Sequence, residues 1–238
     1  MGNLSLGLVD PFSAQENLSS LPYSDSSAVV LGIQNRSFFK ELSTLHLSGI
    51  KSLQNHTFGL SLTSKGTSDF NERIYSIMYG KLLWQGLSIG SKINLNKLNQ
   101  AVYGNAFFLN FDLGLRLTLS KELTFSFLVK NPIDFNFLQK DTIQLTTVNE
   151  IKSGFLYQKD NLTIGFEIKS DTRNNLGTNL GVEWNYRKLT SLRLGLSLPE
   201  QHLTAGMGIN LKPHIIDFFY QYHFILNPNV GVGYTYVF

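Results

Sequence analysis

The chain has 238 residues, 42% of them hydrophobic, 13% aromatic and only 16% charged, with no cysteine and a formal net charge of +3. The missing cysteine excludes disulfide staples, thiolate metal sites and cysteine nucleophiles, and a soluble surface would draw on about a quarter of charged residues. The bases are dispersed along the chain without a run, which argues against a nucleic-acid footprint. The longest apolar runs, such as residues 28–33, fall far short of the roughly 20 residues of a membrane helix, so any span must be built from strands.

Residues 1–26 differ from the rest. Met1-Gly2-Asn3 lacks the basic and apolar regions of a secretion signal, so the chain is expected to be a mature form from which the export signal has been removed. Asp10-Pro11 is a helix-start pair, Asp as cap and Pro at the first helical position. Leu4, Leu6, Leu8, Val9, Phe12, Leu18 and Leu21 need cover that a free tail does not supply, and a barrel lumen would provide it. The expected division is a plug or periplasmic segment over residues 1–26 and a barrel over residues 27–238.

From about residue 27 the sequence alternates with period 2, strand after strand. Residues 107–119 are the clearest case: Phe107, Leu109, Phe111, Leu113, Leu115, Leu117 and Leu119 form one face, while Phe108, Asn110, Asp112, Gly114, Arg116 and Thr118 lie on the other. Such a stripe fits the apolar band of an outer membrane, roughly 25 Å tall. Similar patterns recur from residue 28 to the terminus, for about fourteen strands, an even number as bacterial single-chain barrels have. Expected tight turns fall at Gln54-Asn55, Lys81-Leu82, Ser120-Lys121, Lys159-Asp160-Asn161, Arg187-Lys188 and Lys212-Pro213. Expected long loops lie at residues 64–71, 96–105, 131–146 and 170–176. Short and long connections therefore alternate, as periplasmic turns and outer loops do. The fold class expected is all-β, a transmembrane antiparallel barrel with an amino-terminal lumen plug, in the bacterial outer membrane.

The last strand places Val232, Tyr234, Tyr236 and Phe238 on one face. Gly233, Tyr234, Tyr236 and Phe238 resemble the carboxy-terminal strand by which outer-membrane barrels are recognised for assembly. Gly2-Asn3, the run Asp10-Pro11-Phe12-Ser13-Ala14 and Asn17 resemble the amino-terminal segment of FadL-like fourteen-stranded barrels, especially the PorV- and PorQ-like proteins of Bacteroidota, and Asn131-Pro132 is similar to a further motif of that group. After Asn17 those relatives continue with proline, alanine and glycine, where this chain has Leu18, Ser19 and Ser20. The resemblance implies Asp10, Pro11, Phe12 and Asn17 as plug residues. It also implies one of two roles. The first is a non-catalytic, PorV-like subunit of a larger envelope complex for protein secretion or outer-membrane assembly, favoured here by the modest loops. The alternative is FadL-like transport of hydrophobic small molecules, with a small porin behind it. Expected partners are outer-membrane lipid, lipopolysaccharide and the other subunits of such a complex, without nucleic acid.

Gly86-Leu87-Ser88-Ile89-Gly90 matches the nucleophile-elbow pattern, but the elbow needs a strand-to-helix turn and this serine lies within an alternating strand. His46, His56, His202, His214 and His223 show no metal-ligand spacing. The expectation is accordingly no enzyme, no catalytic residue, no metal and no cofactor. Glu72, Lys92, Asp112, Arg116, Lys130, Glu167, Glu183, Arg193 and Asp217 are expected to face the lumen, with Glu150, Lys152 and Lys169 beside them. They read either as a selectivity field or as ion pairs bracing a closed channel. Bracing is favoured, because desolvated charges need partners and both signs are present. Trp84, Trp184 and the tyrosines near strand ends would form interfacial girdles.

Overall fold

A computed structural model describes residues 1, 4, 6–9, 16, 18–23, 26–36, 39–67, 69–101, 104–132, 135–138, 148–172, 175–199, 201–225 and 227–238. Of the expected plug residues, Asp10, Pro11, Phe12 and Asn17 lie outside these.

The strands on the first half of the chain are β1 (Ala28–Arg36), β2 (Ser43–Leu53), β3 (His56–Gly66), β4 (Phe70–Trp84), β5 (Leu87–Gln100), β6 (Gly104–Thr118), β7 (Leu123–Lys130) and β8 (Phe135–Leu138). Then follow β9 (Glu150–Lys159), β10 (Leu162–Asp171), β11 (Leu176–Tyr186), β12 (Thr190–Leu198), β13 (His202–Leu211), β14 (His214–His223) and β15 (Asn229–Val237). The strands pair antiparallel with their neighbours in the ring, β7 with β9 and β1 with β15 among them, and β8 pairs with β6 among the described residues, in line with β7, which leaves a closed ring of fourteen strands. Closure removes the sheet edges that lipid could not satisfy. No helix among the described residues is long and apolar enough to cross a membrane; the spans are strands.

Alternation sets the wall. Val29, Leu31 and Ile33 of β1, Leu180, Val182 and Trp184 of β11, and Leu192, Leu194 and Leu198 of β12 all point outward and are exposed, while the residues between them turn inward. Lipid is the solvent that makes this arrangement favourable, since in water each exposed leucine would forfeit about 1.5–3 kcal/mol. The seam joins Val29 to Tyr236, Leu31 to Tyr234 and Ile33 to Val232. Tyr236 stacks beside Phe238, 6.1 Å between ring centres, at the short-turn rim.

The long connections contract. β5 runs on to Gln100 and β6 begins at Gly104, β4 begins at Phe70, and β10 reaches Asp171, so most of the residues expected as loops at 64–71, 96–105 and 170–176 are strand. β5 and β6, with 14 and 15 residues, thus run on past the end of β7 at the long-loop end, whereas β4 gains its length beside β3 at the short-turn end. The turn expected at Lys81-Leu82 lies instead at Gln85-Gly86, because the register shifts between Leu82 and Trp84 and carries β4 four residues further. Gly86 takes φ 98° there, a left-handed conformation that glycine adopts without strain.

β7 also ends early. Its pairing with β6 stops at Asp112 and Lys130, Asn131 adopts φ 52°, and β8 resumes alongside β6 from Leu109 and Phe135. Two extra residues separate the two registers, so β7 and β8 form one bulged line along β6, within what reads in the sequence as an outer loop. Beyond Glu150 and Lys130, β9 has no further pairing with that line among the described residues.

Candidate functional site

The amino-terminal segment lies against the inner wall, and the glycines of the wall mark its course. A Cβ built on Gly181 would meet Met1 at 2.9 Å, one on Gly165 would meet Leu4 at 2.6 Å, and one on Gly90 would meet the Leu18 backbone at 2.3 Å. Gly114 faces Ser19 and Gly80 faces Leu21 and Pro22. These absent side chains leave room for a turn of 3-10 helix, Leu18–Tyr23, pressed against β3, β4, β5 and β6. Leu6, Leu18 and Leu21 of the segment join Ile50, Met78 and Leu128 of the wall in one buried apolar cluster. Leu4 and Leu156 are buried close by.

Ser88 and Gly90, the serine and last glycine of the elbow-like pattern, serve this docking. The Ser88 hydroxyl is fully buried and donates to the Ser19 carbonyl at 2.5 Å. Thr57 does the same to the Leu21 carbonyl at 3.2 Å. The Ser19 carbonyl lies three residues before Pro22, which has no N–H to give it, and the Leu21 carbonyl lies at the end of the turn, so the wall supplies their donors.

The charges expected to face the lumen fall into separate groups. Lys92 and Asp112 are cross-strand partners 3.1 Å apart, and Asp112 also accepts from Asn94 at 3.2 Å and from the Asn131 backbone N–H at 3.2 Å. Ser76 donates to Asn94 at 2.7 Å, extending the network over four strands. A second network links β7, β9, β10, β11 and β12: Lys130 pairs with Glu16 and Glu150, and Lys152 lies 3.4 Å from Glu150 and 3.9 Å from Glu167. Glu167, 0% exposed, also accepts the Leu6 backbone N–H at 3.2 Å and the Asn179 amide at 2.9 Å, and Asn179 accepts from Ser197 at 2.8 Å. A third group nearer the short turns sets Arg193 2.5 Å from both Glu183 and Asp217. Arg116 stacks over the Tyr23 ring, 3.9 Å from its centre.

Glu72 stands apart from these, paired with Lys65 at 3.4 Å near the long-loop rim, where both are partly exposed. Gly233 turns inward from the terminal strand, while Tyr234, Tyr236 and Phe238 face outward. The histidines do not converge on a metal, and no cluster of three or more potential ligands occurs among the described residues.

Glu16 is the tie between segment and wall that period-2 reading misses. Lys130 beside it, with Lys152 and Lys92, holds its carboxyl well below the usual carboxylate range despite the opposing cost of burial. The sequence signal is an acid set among the apolar residues of the segment, which needs a base to face. Chemically, the interior can hold and orient a segment, exclude water around the leucine cluster, and present paired charges.

No protein-family model and no curated protein matches the sequence. Among solved structures, the chain is similar over 100% of its length to the toluene transporter TbuX of Ralstonia pickettii, covering 96% of that chain with a TM-score of 0.74 at 12% identity. The toluene transporter TodX of Pseudomonas putida is matched over 100% of this chain and 96% of its own, with a TM-score of 0.70 at 12% identity. The CymD monoaromatic hydrocarbon channel follows at 0.62 and 10% identity, over 90% of this chain and 88% of that one. The shared property is the fold: a closed fourteen-stranded barrel of nearly full length.

Proposed function

We propose that the protein is a FadL-like barrel of a bacterial outer membrane that passes hydrophobic small molecules through a lumen plugged by its own residues 1–26. The observation that supports this best is the leucine cluster inside the barrel. A pore for ions or sugars has no use for Leu6, Leu18, Leu21, Ile50, Met78 and Leu128 packed together in its lumen, whereas an apolar solute gains about 25 cal/mol for each Å² it buries there. The full-length likeness to hydrocarbon channels agrees with the reading. The buried, engaged Ser88 supports a non-catalytic role.

The test is uptake of a radiolabelled monoaromatic hydrocarbon by cells with and without the barrel, paired with conductance of the purified protein in planar bilayers. Reduced uptake on deletion and negligible steady conductance are expected. Unchanged uptake with a steady ion current would leave a small porin. The second reading, a PorV-like non-catalytic subunit of a secretion or assembly complex, draws on the long hairpin of β5 and β6, which offers a partner a surface at the long-loop rim. Copurification in mild detergent from native membranes distinguishes it, since a lone barrel counts against that reading.

A further inference from the structure

Bases that are scattered along the sequence are gathered by the fold at one end of the barrel. Four of the six tight turns carry a base in the turn or on the strand residue just before it, Lys121, Lys159, the pair Arg187-Lys188 and Lys212, and the other two have one within the preceding strand, Lys51 in β2 and Lys81 in β4. All but Lys81 are exposed. The acidic side chains at these turns are Glu122 and Asp160, both in one sector, and Glu122 lies 3.8 Å from Lys159. The opposite rim carries both signs, with Lys65 on Glu72 at 3.4 Å, Asp69 and Arg73 close to them along the chain, and Asp171 at the end of β10 elsewhere on the ring.

We infer that the short-turn rim is a basic collar for the headgroups of anionic phospholipids in the leaflet it meets. The even spacing identifies the occupant. A protein partner docks on one side and selects a patch, whereas these bases recur at every hairpin around the ring, so the complementary charge must surround the barrel as a headgroup layer does. The collar sits at headgroup depth, because the outward aromatics beside it are of the kind that settle there. Lys51 lies 6.0 Å from the ring centre of Phe238, and Arg187 lies 5.1 Å from that of Tyr186. Long aliphatic stems then carry the charges past the aromatics to the phosphates.

The backbone supplies an independent sign. Arg187 and Lys188 occupy the β11–β12 turn with φ 51° and 58°, left-handed positions that Asn-Gly fills without strain. The chain keeps two bases where the turn geometry disfavours them, and strain retained at one place points to a use for the side chains.

The experiment is the association of spin-labelled phosphatidylglycerol and phosphatidylcholine with the barrel in vesicles of the two lipids, read as the motionally restricted fraction. A base at the surface biases the headgroup beside it on the order of fivefold, so an averaged preference of about two- to threefold for phosphatidylglycerol is expected, falling with salt. A variant with Lys51, Lys121, Lys159, Arg187, Lys188 and Lys212 each changed to Gln loses the preference, while K65Q/R73Q/K97Q at the opposite rim keeps it. Equal association of both lipids with the unmodified barrel, a preference insensitive to salt, or one lost in the opposite-rim variant overturns the inference. So does an acidic protein that copurifies with the unmodified barrel and not with the collar variant when no lipid preference is measured. The salt series on the unmodified protein decides the matter if the collar variant fails to fold, and none of these readouts depends on what the lumen carries.

Discussion

Gly90→Ala is the sharpest test of how the segment is held. The added methyl would lie 2.3 Å from the Leu18 carbonyl carbon and oxygen, far inside van der Waals contact. The obstacle is backbone, so no rotamer change relieves it; the segment must lift or the wall must bow. Overpacking of this kind costs about 1–3 kcal/mol. Losing the hydrogen bond from Ser88 to Ser19 adds about 1 kcal/mol. Together these amount to about 2–4 kcal/mol, enough to lower the occupancy of the docked segment severalfold or more. The assay is protease protection of residues 1–26 in folded, heat-modifiable barrel, together with single-channel conductance. Faster cleavage and a new current are expected. Gly49→Ala is the control, since nothing lies within 4 Å of its Cβ position. Protection and conductance unchanged in Gly90→Ala, or altered equally by Gly49→Ala, would refute the argument that the wall glycines cradle the segment.

Lys152→Met leaves the fully buried Glu167 without its nearby cation, and breaking such a pair costs about 3–5 kcal/mol; a lower midpoint of urea unfolding in detergent measures it. Glu16→Gln is milder, about 1 kcal/mol, because that side chain is partly exposed and its pairing is screened; the same protease assay reads it. The depressed Glu16 carboxyl contributes stability above its unfolded value and loses it only as pH falls through its folded value, so titration from about pH 8 to about pH 4 is expected to leave the segment docked. Early release in that window, absent in Glu16→Gln, would contradict this. Replacing Arg187-Lys188 by Asn-Gly relieves two left-handed residues and is expected to stabilise the barrel by about 1–2 kcal/mol while weakening its preference for anionic lipid; unfolding and lipid-association measurements on one preparation separate the two effects.

The wall was legible in the sequence because lipid on one side and a polar lumen on the other impose period 2 on every strand. The stripe from Phe107 to Leu117 needs no tertiary information to be assigned. Legibility fails where that constraint lapses. At Leu82-Leu83-Trp84 the apolar run breaks alternation at a bulge, and the turn was expected too early. Phe135–Leu138 sits beyond the break at Asn131, where four residues replace two and the period no longer propagates. The sequence pattern does not say which of the charges would meet. Lys130 and Glu16, or Glu167 and the Leu6 amide, are brought together by the circumference of the ring and the path of the segment across it, and neither distance is encoded in local pattern. The bases in and beside the tight turns were individually visible, and only closure into a ring makes them a collar.

The seam between β1 and β15 also orders events in time. Val29 and Tyr236 are among the contacts of greatest separation along the chain, and the Phe238 backbone N–H donates to the Ser27 carbonyl at 2.9 Å, where the amino-terminal segment ends and the wall begins. Loop-closure entropy is highest for this pairing, so the ring is completed last. Because the segment is joined to β1 at the seam itself, the nascent sheet curls around residues already tethered at its leading edge, and the seam and the interior mature as one cooperative step.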